Sequence, residues 1–352
     1  MRVLFISRKW PPAVGGMETY SYELTKAMRR TNIDFEVTCL PGKKNGDPPS
    51  SFAQLLFFLR CFFYLMRERS KFDLIHLGDF ALAPLALIAG RKVAITIHGL
   101  DILYGNRKGL TPLIYRTYKN TISALKPADL YIANSINTGE LCEKNGLRPI
   151  KVTPLGVDTK LPPVRVGLQR REILFLGRLV KRKGAAWFSQ NVLPKLEEDL
   201  RFIVVGKSWD SSEERILAEN DRVELKGYVG EKELKRFKET ALLAVMPNQP
   251  SHSETDVEGF GLVAAELSVQ GVPLVASNIE GLTSAVINEQ TGFLVRHDDV
   301  DAWKSKIEQI AKWDDSTRLE YSRKFRDEAT KHFSWQRVAN DTLLASDIWL
   351  ES

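Results

Sequence analysis

The sequence predicts an α/β protein built from two doubly wound domains. Short β-branched or apolar runs alternate with longer helical patterns along the whole chain. At 352 residues the chain exceeds one ordinary core. Strand–helix alternation of this kind implies parallel sheets covered on both faces.

In the first half the expected strands are Val3–Ser7, Phe35–Leu40, Leu74–Leu77, Val93–His98, Leu130–Ala133 and Val152–Leu155. In the second they are Ile173–Leu176, Phe202–Val205, Val223–Leu225, Leu242–Met246, Pro273–Ala276 and Phe293–Val295. Helical spacing lies between most of them, as in Met17, Tyr20, Leu24 and Ala27. The proline-bearing stretch Lys160–Gln169 reads as the linker, which gives domains 1–163 and 164–335. The last helix, about 336–352, is expected to cross back onto the first domain. A cleft between the domains would face the carboxyl ends of the strands, where such sheets bind ligands.

Hydrophobic content of 43% and charged content of 27% fit a globular enzyme. No apolar run approaches a membrane span, and the opening run is too short for a signal peptide. Three dispersed cysteines, Cys39, Cys61 and Cys142, form no metal or disulfide framework and point to a reducing cytoplasm. Residues 1–165 carry a net charge of +11 and residues 166–352 a net of −5. A basic first half suits an anionic membrane or a phosphate-bearing substrate. No nucleic-acid motif accompanies the charge, so no nucleic-acid partner is expected.

The most informative segment is Glu258-Gly-Phe-Gly-Leu-Val-Ala-Ala-Glu266. Two carboxylates flank a glycine turn that opens an apolar helix. Free amides at such an N-terminus suit a diphosphate. The alternative is a plain glycine turn with one solvated and one paired glutamate. Arg178 and Lys183 follow the first strand of the second half and could clamp a diphosphate, or could belong to a solvated basic loop. Lys207 and Val229 end two further strand segments. In the first half Gly15-Gly16 feeds a helix, without the G-x-G-x-x-G or P-loop pattern. His98 closes the fourth strand, as a cleft residue or as a core histidine. The pair Asp299 and Asp301 reads as a helix cap, so no metal site is expected.

Together these segments resemble the retaining glycosyltransferases of family 4, which have the GT-B fold. The matching elements include Gly15-Gly16, His98-Gly99, Pro154–Asp158, Gly177-Arg178, Lys183-Gly184, Glu258–Glu266, Gly271–Ser277, Gly281 and Thr291-Gly292. The polar loop Pro250–Val257 departs from the pattern, and the chain is compact for the family.

The resemblance implies a nucleotide-sugar donor, no further cofactor and no metal. It assigns the ribose to Glu266 and the diphosphate to Arg178, Lys183 and the amides near Phe260, Gly261 and Leu262. It assigns donor-sugar contacts to Glu258 and His98, phosphate or acceptor contact to Gly16, and the base to backbone near Val229. The implied acceptor is a glycan or a lipid-linked glycan, in polysaccharide or glycolipid synthesis. The implied place is the cytoplasm, with peripheral contact at the inner face of an anionic membrane. A nucleotide-sugar epimerase of the same fold and a non-catalytic scaffold are the competing readings.

Two stretches could meet that membrane. Phe52–Lys71 is rich in aromatics and arginines but could be a core helix. Tyr104–Lys126 interleaves tyrosines with Arg107, Lys108, Arg116, Lys119 and Lys126.

Overall fold

The computed structural model describes residues 1–90, 92–106, 109–125, 127–160, 162, 171–250 and 258–350. The expected linker and the Pro250–Val257 loop lie largely outside these residues, as do Arg107, Lys108 and Lys126. The chain forms two compact units. One comprises Met1–Gly156 with the final helix, and the other Val157–Ser334.

The first unit holds β1 (Arg2–Trp10), β2 (Asp34–Pro41), β3 (Leu74–Leu77), β4 (Lys92–Ile97), β5 (Leu130–Ala133) and β6 (Ile150–Val152). They form one parallel sheet in the order β2-β1-β3-β4-β5-β6. The sixth strand sits earlier than the expected Val152–Leu155, and it stops short of Pro154, which has no N–H for a ladder. The strands β3 and β5 are buried at every position, which explains the apolar run of β5 and the mostly apolar β3, whose buried His76 bonds Thr96 at 2.8 Å. One face of the sheet packs on a core that includes Phe57, Phe72, Phe80, Ile95 and Ile122. On the other face Ala345 of the final helix joins Val3, Leu74, Ala94, Leu130 and Ile132.

That final helix, Trp335–Leu350, packs along the helix Gly16–Met28. Trp335 fills the space a side chain at Gly156 would need, and Arg337 donates to the Pro154 carbonyl. The unit boundary therefore falls at Gly156–Val157, ahead of the stretch the sequence suggested. Val157 N–H already donates to Phe333 O at 2.7 Å, which ties both chain crossings to one place in the second unit.

The second unit holds β7 (Glu172–Leu176), β8 (Arg201–Val205), β9 (Val223–Gly227), β10 (Ala241–Met246), β11 (Leu274–Ser277) and β12 (Phe293–Val295). Its parallel order is β12-β11-β10-β7-β8-β9. Trp303, Phe188, Phe202 and Phe325 fill its core. Asp299 caps the helix Val300–Ala311 by accepting from Ala302 N–H at 2.9 Å, and Asp301 pairs with Lys195 at 3.2 Å. Among the described residues, no helix is long and apolar enough to cross a membrane.

Candidate functional site

In the second sheet the strand order reverses between β7 and β10, and doubly wound folds bind ligands beyond the strand ends at such a point. Two segments emerge there: the loop after β7 and Pro247-Asn248-Gln249 after β10. The β7 loop closes in a 3₁₀ turn, Lys181–Lys183, ahead of the helix Ala185–Asn191. Three residues per turn aim successive side chains in different directions. Lys181 is exposed, while Arg182 and Lys183 are buried. Gly184 follows with φ 71°, and a Cβ there would overlap the Pro247 carbonyl oxygen. Backbone therefore meets backbone, and Gln249 N–H donates to Arg182 O at 2.8 Å.

Both buried cations point at Glu258. Arg182 Nη1 lies 2.8 Å from Glu258 Oε2, and Lys183 Nζ bonds the same oxygen. Asn248 Nδ2 adds a third donor at 2.9 Å. Burial alone would raise the Glu258 carboxyl, but the two cations outweigh it and hold it at about 2. Burial pulls the Lys183 ammonium down, while Glu258 opposes that pull. Arg182 adds repulsion to the same lysine, because both cations bond one carboxylate oxygen. The backbone of Glu258 is fixed too, because Gly281 at φ 80° leaves room for its carbonyl.

Gly261, at φ 87°, caps the helix Leu262–Val269 in the left-handed region that favours glycine. A Cβ there would also crowd Leu282. Phe260 is buried edge-on against Phe333, with ring centres 6.0 Å apart. The first amides of the helix thus follow directly on the Glu258 segment. Glu266 stands one turn in, on the face of half-buried Leu262. Burial raises its carboxyl, against the attraction of Lys238.

The other expected residues of this unit are more open. Arg178 is exposed and lies over the Trp209 ring, 4.9 Å from its centre. Lys207 is exposed and holds the loop through its carbonyl, which accepts from Leu179 N–H at 3.0 Å. Val229 is half-buried next to exposed Tyr228. Gly206, at φ 150°, lets β8 end against the Gly177 carbonyl.

In the first unit, His98 is buried at the end of β4. Its Nε2 lies 3.2 Å from Gly78 O and its Nδ1 lies 3.4 Å from Asn134 Nδ2. A carbonyl only accepts, so Nε2 carries the proton and Nδ1 accepts from the amide. Burial lowers the ring to about 4, which keeps it neutral. Tyr20 packs edge-on against it, with ring centres 5.1 Å apart.

The neighbouring carboxylates fix this arrangement. Asp79, next to Gly78, takes Arg8 Nε at 2.9 Å and Ala81 N–H at 3.0 Å. Asp101 accepts His98 N–H at 3.0 Å, and burial together with Asp79 pushes its carboxyl up to about 7. Gly15 and Gly16 open the helix Gly16–Met28, where Glu18 occupies the first turn and pairs with Lys9 at 3.5 Å.

Residues 14–161 match the model described as Glycosyltransferase Family 4, and residues 170–312 match that of Glycosyl transferases group 1. The chain belongs to glycosyltransferase family 4.

Glycogen synthase of Mycobacterium tuberculosis is 31% identical over 207 residues, which are 56% of this chain and 48% of that enzyme. The chain thus spans about half the length of the first curated relatives it matches. A GDP-mannose-dependent α-(1-6)-phosphatidylinositol monomannoside mannosyltransferase of the same organism is 24% identical, over 88% of this chain and 89% of that one. The crystal structure of Anabaena HepE in complex with UDP has a TM-score of 0.71 at 18% identity, over 99% of this chain and all of that one. The fold of this family 4 chain is GT-B.

Sequence reading paired Lys183 with Arg178. The structure pairs it with Glu258 and brings in Arg182 and Asn248, neither of which the sequence singled out. The run Lys181-Arg182-Lys183 hid Arg182, and only the 3₁₀ turn separates its direction from that of Lys181. Arg8 and Asp79 were missed as well. They are 71 residues apart and meet because β1 and β3 are neighbours.

Proposed function

We propose that this family 4 chain transfers a sugar from a nucleoside-diphosphate donor to a glycan or lipid-linked acceptor, with retention and without a metal. One observation carries the reading. Arg182 and Lys183 converge on Glu258 in a buried cluster, beside a helix N-terminus at the strand-order switch. Buried cations next to free helix amides suit a diphosphate.

Breaking the sugar–phosphate bond builds negative charge on the departing diphosphate. Fixed cations and amides stabilise that charge more in the transition state than in the ground state. Lys183, exposed Arg178 and the amides after Phe260 and Gly261 bind the diphosphate. Glu266 takes the ribose, backbone near Val229 and Lys207 frames the base, and Glu258 takes donor-sugar hydroxyls. His98 supplies a neutral ring or its backbone to the sugar, and Gly15 and Gly16 adjoin the phosphate or acceptor. Acceptor attack occurs on the face the diphosphate leaves, and the phosphate oxygen takes the proton.

Titration with UDP, GDP, ADP, dTDP and CMP, with Glu266→Ala alongside, tests the donor site. One diphosphate should bind best and weaken in the variant, and no binding by any would sink the reading. Incubating the chosen donor without acceptor tests the epimerase alternative, which requires conversion of the sugar.

A further inference from the structure

The helix Ser51–Glu68 carries large apolar side chains on two opposite sides, yet only one side of it is covered. Phe57, Cys61 and Leu65 recur at fourth positions and enter the core of the first unit. The opposite side carries Phe52, Leu55, Leu56, Leu59, Phe63 and Met66. Their exposures run from 42% at Leu59 to 69% at Phe52. At about 100° per residue these six lie within a single arc of roughly 100°. Six large side chains at that exposure present on the order of 600 Å² of apolar surface, the upper end of what a monomer leaves uncovered. Scattered exposed leucines need no explanation, but a continuous stripe along a five-turn helix does.

The charge along the stripe identifies its partner. Arg60 and Arg67 are exposed along one edge of the arc. Residues 51–71 hold Arg60, Arg67, Arg69 and Lys71 against the single acid Glu68. Glu68 is half-buried and already pairs with Lys71 and Arg67. The 4-3-4-3 spacing of Phe52, Leu56, Leu59, Phe63 and Met66 would also serve a helix–helix seam. A second copy on this seam, however, would set arginine against arginine with no free acid to answer. An anionic lipid surface answers both features, because acyl chains accept the stripe and headgroups accept the arginines.

The second stretch noted in the sequence is divided: Leu110, Leu113 and Ile114 are exposed with Arg116, whereas Lys119 is buried and donates to Asn145 Oδ1 at 2.7 Å. Tyr115 and Tyr118 turn inward to the carbonyls of Asp101 and Phe80, each at 2.9 Å.

We propose that the outer face of the helix Ser51–Glu68 is an interfacial anchor that lies on an anionic bilayer, with Phe52 and Phe63 entering it and Arg60 and Arg67 on its headgroups. This assignment is independent of the donor chemistry.

Co-sedimentation of the full chain with phosphatidylglycerol–phosphatidylcholine vesicles at low salt tests it, with pure phosphatidylcholine vesicles as the control. Retention on the anionic vesicles alone is expected. Phe52→Ser with Phe63→Ser should lower the bound fraction at least tenfold at an unchanged melting temperature, and Arg60→Glu with Arg67→Glu should do likewise. Hydrogen exchange of the unaltered chain gives a readout free of variants, in which vesicles should slow peptides spanning 51–68. No retention of the unaltered chain, or equal retention of the Phe52→Ser/Phe63→Ser chain, overturns the proposal. So does a dimer in sedimentation velocity that Phe63→Ser splits and that vesicles do not hold, which would assign the stripe to a second copy.

Discussion

Asn248 donates its side-chain amide to Glu258 Oε2 at 2.9 Å, and this leaves its own buried Oδ1 without a partner. A buried acceptor left unpaired costs about 1–3 kcal/mol. A hydroxyl of the donor sugar would answer it, at the same oxygen cluster that Lys183 and Arg182 address. Asn248→Ala should therefore weaken binding of the nucleotide sugar at least tenfold and leave the nucleoside diphosphate nearly unaffected. Isothermal titration with both ligands measures the difference, and equal losses for the two would remove Asn248 from the sugar site.

Glu258→Gln should destabilise the second unit by about 3–5 kcal/mol, since it leaves the buried Lys183 ammonium facing a neutral amide. The pH dependence follows from the sign of the shift. The folded carboxyl sits at about 2, below its ordinary value of 4.5. Its contribution is thus complete above 4.5 and is lost as pH falls from 4.5 toward 2. Urea titrations over that acid range should find a slope in the unaltered chain that Glu258→Gln lacks.

Lys181 and Arg182 are sequence neighbours with opposite fates. Lys181→Ala, at an exposed position, should change stability by less than about 0.5 kcal/mol. Arg182→Ala should cost about 3 kcal/mol and weaken diphosphate binding, because Glu258 then keeps only one cation. Equal effects of the two would mean that the 3₁₀ turn does not sort them.

The contrast marks what could be read from residues alone. The strands were legible because a parallel strand buried on both faces needs an unbroken apolar run, as in Phe202–Val205 and Leu130–Ala133. The glycine turn before Leu262 was legible because only glycine sits easily at φ 87°. Partners were not legible. Lys183 finds Glu258 across 75 residues, and nothing in either segment names the other. The Ser51–Glu68 helix was ambiguous for a similar reason, since composition cannot say which side the core covers when both sides carry large apolar residues.

His98 should stay neutral in a single tautomer from pH 8 to about 5. Its ring is lowered to about 4 by burial, and Gly78 O fixes the proton on Nε2. Nitrogen-15 shifts of the imidazole should be flat over that range. A histidine whose folded pKa is depressed contributes stability above its unfolded value, and loses it as pH falls from about 6.5 toward 4. Replacement by Asn should flatten that part of the stability profile.

Asp79→Asn reaches His98 through the Gly78 carbonyl. Arg8 would lose its buried counter-ion and keep Gln54 Oε1, 2.7 Å away, which is neutral. The loss should be about 3 kcal/mol. Asp101 should respond in the opposite sense. Its carboxyl is pushed up to about 7 by burial first and by the Asp79 charge second, so removing that charge should let it ionise at lower pH. A raised carboxyl loses stability as pH climbs from 3.8 through 7, and Asp79→Asn should therefore shift that loss toward the acid side. Carbon-13 titration of the Asp101 carboxyl, followed beside the His98 ring shifts, reads both effects in one sample. An unchanged Asp101 midpoint would mean the two carboxylates do not sense each other, and an unchanged His98 tautomer would free its ring from the Arg8–Asp79 pair.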